Sequence, residues 1–313
     1  MSDNNNICPT SIGGQAVIEG VMMKGPEDIA IAIRKSSGDI LLHKQPLKSA
    51  ARRNRLFKLP VFRGMFALID TMVLGVRALT FSAEQMEFAE EEGTSGFDKF
   101  VEKIFGDKAE EATIYFSVFL SLVFTVLLFI ILPTFLIRFL KFSVQSTIVM
   151  NLMEGVIRIT VFIIYLLAVS KIKDIQRVFE YHGAEHKVIH CYEHRQELTV
   201  ENAARFTTLH PRCGTSFLLI VLVVSIIVFS FLGWPNLLVR VVSRLLLLPV
   251  VGGISYEIIK WAGRSNSLAS RIVRKPGLFL QKLTTREPDE GQLEVAIEAL
   301  KGVLVEQEGA DAW

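Results

Sequence analysis

The chain has 313 residues, half of them apolar, with a mean hydropathy of +0.40 and a formal net charge of +2. That much apolar character excludes an ordinary soluble protein of this length, and so small a net charge gives no basis for nucleic-acid binding. The three cysteines, Cys8, Cys191 and Cys213, form no disulfide framework, and residues 1–30 lack the basic and apolar regions of a cleavable signal peptide, so internal spans are expected to drive insertion.

Residues 1–58 read as a separate N-terminal domain with a small β element. The string from Gly13 through Gly14, Glu19, Gly20 and Gly25 to Pro26 fits neither a dinucleotide fingerprint nor a phosphate-binding loop. It reads as a turn-rich entry to a hairpin, with Glu19 as its one charged group able to serve a site. The hairpin itself is expected from the β-like run Ile29–Lys35, a turn at Ser36-Ser37-Gly38, and the run Asp39–His43. Residues 59–111 are expected to hold amphipathic helices and a linker. Within them, 61–88 are largely apolar but interrupted by Arg63, Asp70 and Arg77, which predicts a helix on the membrane or against the spans and not a crossing. Residues 90–111 are charged and read as a linker or short helix.

Four segments then suffice to cross a bilayer, which takes about 20 apolar residues as helix. They are 112–137 and 147–170 (the pair over residues 112–170), then 216–233 and 237–261 (the pair over 216–262). The second carries Glu154 and Arg158, four apart on one helical face and able to pair. Arg240 and Arg244 lie near the outer end of the fourth, and Glu257 near its inner end. Basic residues crowd three regions: Lys48, Arg52, Arg53, Arg55, Lys58 and Arg63 in the first; Lys171 to Arg212 in the 171–215 loop; Arg264 to Arg286 in the 263–313 tail. Only Arg138 and Lys141 follow the first span, and the turn at 233–236 has no basic residue. The positive-inside rule therefore predicts cytoplasmic termini and a cytoplasmic 171–215 loop. The fold class is thus mainly α: a polytopic membrane protein with about four transmembrane helices and a cytoplasmic N-terminal domain. The tail is expected to contain one amphipathic helix over Pro288–Glu308.

The chemistry concentrates in the 171–215 loop, which holds five of the six histidines: His182, His186, His190, His194 and His210. His182 and His186 are four apart, so a helix projects both rings from adjacent turns of one face, where they can chelate one metal. With Glu185 between them the order is H-x-x-E-H, the inverzincin pattern, in which the glutamate acts on a water at the metal. A catalytic zinc needs a third protein ligand and an open position. Glu257 and His210 are candidates for it, with His190, His194 and Cys213 as alternates. Four-residue steps drift about 40° each, so the histidines from 182 to 194 cannot all share one ion on a straight helix. The alternative reading is a structural zinc built from His190 or His194 with His210 and Cys213, or a hydrogen-bonded histidine face.

Three strings together resemble the YqhQ-type family of uncharacterised bacterial membrane proteins: Gly13–Met23, Tyr181–Lys187, and His210-Pro211-Arg212-Cys213-Gly214-Thr215-Ser216-Phe217. The resemblance spans nearly the whole chain and implies a bacterial protein described as a predicted metal-dependent enzyme. It brings no substrate.

The expectation is therefore a metal-dependent, hydrolytic enzyme at the cytoplasmic face of the bacterial inner membrane. His182 and His186 would bind a divalent metal, zinc by ligand type, Glu185 would be general base, and Glu257 or His210 would complete the shell. The lipid bilayer is the expected partner, with protein partners or self-association open. The rivals are a non-enzymatic assembly or regulatory protein with a structural metal, and a small-solute transporter using Glu154 and Arg158.

Overall fold

The structure, a computed structural model, describes residues 8–47, 59–86, 109–139, 146–232, 236–265 and 267–305. The basic cluster from Lys48 to Lys58, the charged stretch up to residue 108, Lys141 and most of the 233–236 turn lie outside those residues. The described chain is mainly helical with one small antiparallel sheet. Its strands are β1 (Gly13–Val17), β2 (Gly20–Lys24), β3 (Asp28–Arg34) and β4 (Ile40–Pro46), and its first helix is α1 (Phe62–Gln85). Helix α2 (Ala109–Val126) runs through a π-helical turn, Leu127–Ile131, into α3 (Leu132–Phe139), and α4 spans Thr147–Val169. Helices α5 (Lys173–Glu193), α6 (Val200–Ala204) and α7 (Thr215–Ser230) follow, then α8 (Leu237–Arg264), α9 (Leu268–Thr284) and α10 (Glu290–Lys301).

The chain forms two compact units, one of residues 1–86, 166–224 and 248–313, the other of 87–165 and 225–247. In the first, the sheet is a meander in the order β1-β2-β3-β4. The expected hairpin is β3–β4, with Ile31 opposite His43 and Gly38 at φ 91° in its turn. The glycine-rich string does more than lead into it. It forms a hairpin of its own, β1–β2, with Gln15 opposite Met22 and Glu19 at φ 50° in the tight turn. Its glycines masked the two-residue alternation of Gln15 to Met23.

That alternation sends side chains to both faces. Ile29, Ile31 and Ile33 join Val17 and Met22 against Ala78, Leu74 and Phe81 of α1. Ala30 and Ala32 point the other way with Val21 and Met23, toward Tyr181, Ala184 and Val188 of α5 and Leu293, Ala296 and Leu300 of α10. The small alanines leave room for two helices to lie close on that face. Helix α10 starts at a capping box, Asp289 with Gln292, and ends at Gly302, shorter than the expected 288–308. Helix α9 was not expected at all. Its start is capped by Ser267, which accepts from Ser270 N–H, and it runs through Pro276. It exposes Leu268, Ile272 and Phe279 while burying Leu280, Gln281 and Thr284.

Among the described residues four helices are long and apolar enough to cross a membrane, namely Phe62–Gln85, Phe116–Ile137, Thr147–Val169 and Leu238–Arg264. One member differs from expectation. Helix α1 is continuous over 24 residues despite its charges. Helix α7 has 16 residues, about 24 Å at 1.5 Å per residue, short of a roughly 30 Å hydrocarbon core.

In the second unit the π-helical turn has a local cause. Pro133 has no N–H to donate, and its ring displaces the carbonyl four residues earlier, that of Phe129. The freed Phe129 carbonyl accepts a hydrogen bond from Arg158 Nε at 3.0 Å.

Candidate metal centre

Helix α5 carries the histidine run, buried from Tyr181 to Ile189 between the sheet and the chain that follows. Helical drift divides the histidines as expected. His182 and His186 have ring centroids 4.4 Å apart, while His190 sits beside His210 at 4.6 Å and beside His194 at 6.1 Å. Among the described residues two groups of ligand atoms result, each lying within 4.8 Å of one another: His182, His186 and Cys213, and His190, Glu193 and His210.

Hydrogen-bond accounting separates the two. In the second group Glu193, 2% exposed, is saturated: its Oε1 accepts from Thr10 N–H at 2.9 Å and from Arg212, its Oε2 from His210 Nε2 at 3.4 Å. His210 Nδ1 accepts from Arg212 N–H, and His190 Nε2 donates to the Leu209 carbonyl at 2.9 Å. Burial alone would raise Glu193, but the His210 bond and the Arg212 charge outweigh it and hold the carboxyl below its usual range. Burial holds His190 and His210 below the usual imidazole value. This is a neutralised, fully bonded network that ties β1's approach, α5 and the 205–214 loop together.

The first group is arranged differently. His182 Nδ1 meets the Thr284 carbonyl at 2.8 Å, and His186 Nδ1 meets the Thr208 carbonyl at 2.5 Å. A carbonyl only accepts, so both rings must carry their proton on Nδ1 and present an Nε2 lone pair. His182 Nε2 lies 3.1 Å from Cys213 Sγ, and His186 Nε2, though buried, has no hydrogen-bond partner. Such backbone-anchored imidazoles are the usual outer support of metal-binding histidines. Cys213 precedes the N-terminus of α7 and accepts from Thr215 N–H at 3.4 Å. Burial pushes its thiol up, but His186 and the Thr215 bonds outweigh that and bring it below its ordinary value. Burial holds the His186 imidazole below its ordinary value.

Glu185 stands beside this group. Its Oε1 accepts from Gly14 N–H at 3.1 Å, and its Oε2 is buried with no partner. Burial pushes its carboxyl up to about 8. The approach depends on a glycine: a Cβ at position 14 would lie 2.8 Å from Glu185 Cδ. Gly183 serves the opposite side of the helix, where a Cβ would strike the Arg286 carbonyl. A cavity of about 80 Å³ lies among Gly13, Gly14, Glu185, His186 and Cys213. At roughly 30 Å³ per water it holds two or three.

Of the expected ligands, Glu257 belongs to neither group; its carboxylate is held by Arg63 Nε at 2.6 Å and a second guanidinium nitrogen. His210 joins the saturated network, and His194 caps α5 by bonding the His190 carbonyl at 2.7 Å. Cys213, an alternate for the third ligand, is the group that meets His182 and His186. Glu19 clamps the β1–β2 turn to α5 through Arg177 and the Tyr181 hydroxyl. Glu193 was missed, although its place three residues after His190 on one helix was a usable signal. Gln281 was missed too; its side chain clasps both backbone groups of His210 at 2.8 Å, and nothing local in the α9 sequence announces it.

A family model described as "Protein of unknown function (DUF1385)" matches residues 59–306. The chain is 35% identical over 303 residues, 95% of its length and 93% of the relative's, to "Uncharacterized protein YqhQ" of Bacillus subtilis (strain 168). No solved structure matches it.

Proposed function

The chain belongs to the DUF1385 family of unknown function, and within it we propose a metal-dependent, hydrolytic enzyme working at the cytoplasmic face of the membrane. One observation carries the reading: two imidazoles locked by backbone carbonyls aim Nε2 at one cysteine sulfur, and one of those nitrogens is buried without a partner. Leaving a buried polar atom unmatched costs about 1–3 kcal/mol, so this unmatched nitrogen calls for a ligand. His182, His186 and Cys213 would hold a divalent cation, and two imidazoles with one thiolate suit zinc best. The cation would supply a Lewis acid and an activated water near neutral pH.

The chain's own groups supply the rest. Gly14 N–H fixes one oxygen of Glu185, leaving the other to take a proton from the attacking water and return it to the leaving group. Thr284 and Thr208 hold the ligand rings, and Gln281 holds the loop that carries Cys213. The cavity admits the scissile group and a water but not a whole substrate, so the substrate must present its reactive end from outside.

The test is elemental analysis of detergent-purified protein prepared without chelator. One cation per chain is expected in the wild type and none in His186→Ala or Cys213→Ser. Glu185→Gln should keep the cation while hydrolysis of a panel of ester, amide and phosphoester substrates disappears. A metal-free wild type would overturn the proposal. The small cavity favours one alternative, a structural cation in an assembly or regulatory protein; its signature is a bound cation with no hydrolysis and no effect of Glu185→Gln.

A further inference from the structure

The expected pair of Glu154 and Arg158 exists, with Nη2 3.2 Å from Oε1, but it is part of something larger. Arg244 also grips Glu154, one of its nitrogens 2.8 Å from Oε2, and Arg240 lies 3.6 Å from the same oxygen. Three guanidinium groups, each no more than 6% exposed, thus share one carboxylate that is 1% exposed. No other acid lies in the apolar stretches that supply these groups: Glu154 is the only Asp or Glu in residues 112–170, and residues 215–256 contain none.

Three helices bring these groups together. Counting 1.5 Å per residue from the ends at Phe139, Thr147 and Leu237, Phe129, Thr134, Glu154, Arg158, Arg240 and Arg244 fall about 4 to 16 Å inside the apolar segments. A net charge of two there is costly unless something answers it. The neutral groups around it answer part. The Phe129 carbonyl freed by Pro133 and the Ser225 hydroxyl take Arg158, and Thr134 takes one Arg244 nitrogen. The ring of Phe229 stands 5.4 Å from the Arg158 guanidinium carbon and 5.3 Å from that of Arg244. Arg244 Nε stays buried without a partner.

The geometry points to an anion site inside this helical unit, built by Arg158, Arg240 and Arg244 and taking a phosphate group, free or on a lipid. Guanidinium forks match phosphate oxygens in pairs, and basic pockets between spans are a known way to hold phospholipid heads. Glu154 orders the three arginines and competes with the anion for them. Its role therefore has the opposite sign to theirs.

The experiment uses the full chain in two arms. In the first, delipidated protein in neutral detergent is titrated calorimetrically with inorganic phosphate. In the second, native mass spectrometry counts lipids retained after nanodiscs of phosphatidylglycerol or phosphatidylcholine are dissolved. Saturable phosphate binding that falls at least tenfold in Arg244→Gln and tightens in Glu154→Gln supports a free anion. One phosphatidylglycerol retained per chain, lost in Arg244→Gln, supports a lipid headgroup. If Arg244→Gln does not fold, Arg240→Gln decides by the same readouts. A wild type that binds neither probe, or binding unchanged in the folded arginine variant, overturns the assignment.

Discussion

Glu193→Ala should be among the most damaging single substitutions outside the proposed cation ligands. The carboxylate is 2% exposed and accepts from three donors on two parts of the chain: Thr10 N–H, and His210 Nε2–H and the Arg212 guanidinium of the 205–214 loop. Bonds to a charged acceptor contribute about 1.5–3 kcal/mol each, and the 3.4 Å bond from His210 belongs at or below the bottom of that range. Removing one partner of a buried ion pair costs about 3–5 kcal/mol, which agrees with the sum of the two stronger bonds. At 1.4 kcal/mol per tenfold, the unfolded fraction should rise a hundredfold or more. Urea unfolding in detergent micelles measures this. The pH dependence provides an internal check. Glu193 is held below its ordinary value, so its contribution is present above about pH 4.5 and lost as pH falls through the folded value. The deficit of the variant should shrink in acid accordingly. A loss below about 0.5 kcal/mol at pH 7 would show that the network does not hold the loop.

Other substitutions probe the same region more narrowly. Gly183→Ala would normally stabilise a helix by up to about 1 kcal/mol, yet here the new methyl meets the Arg286 carbonyl, so melting temperature should fall. Gly14→Ala should cost about 1–3 kcal/mol and displace Glu185, leaving cation content unchanged while any hydrolysis drops. Glu257→Gln should leave cation content untouched, because Arg63 and not the histidines holds that carboxylate; loss of the cation would reinstate Glu257 as a ligand. With the cation chelated away, Glu185→Gln should be neutral or stabilising in a melt, since Glu185 is a buried carboxyl with a single hydrogen bond, and clear destabilisation would contradict its isolation.

The division of the histidines was legible in their spacing, because a helix drifts by a fixed angle and only neighbours four apart share a face. The third member of the proposed ligand set was not. Cys213 reaches His182 across 31 positions of chain, and Glu257 looked equivalent until Arg63, 194 positions away, was found on it. Distances of that kind are decided by packing, not by local pattern. The β3–β4 hairpin could be read from alternation and a Ser-Ser-Gly turn, whereas β1–β2 was hidden by glycines that serve close approach. Gly14 is the example: its role appears only once Glu185 is placed against it, 171 positions later. Helix α9 was obscured by Pro276 and by its basic residues, which read equally well as a topology signal.

The Thr284 carbonyl that sets the His182 ring has a consequence for biosynthesis. A ribosome adding about 5–20 residues per second needs roughly 5–20 s to pass from His182 to Thr284. By the end of that interval the sheet and the apolar helices have been made, yet the imidazole of His182 gains the acceptor that selects its tautomer only when Thr284 is added. The pocket is therefore completed late, after the hydrophobic segments are available to the bilayer, so that a nascent chain stalled in translocation cannot carry a finished centre.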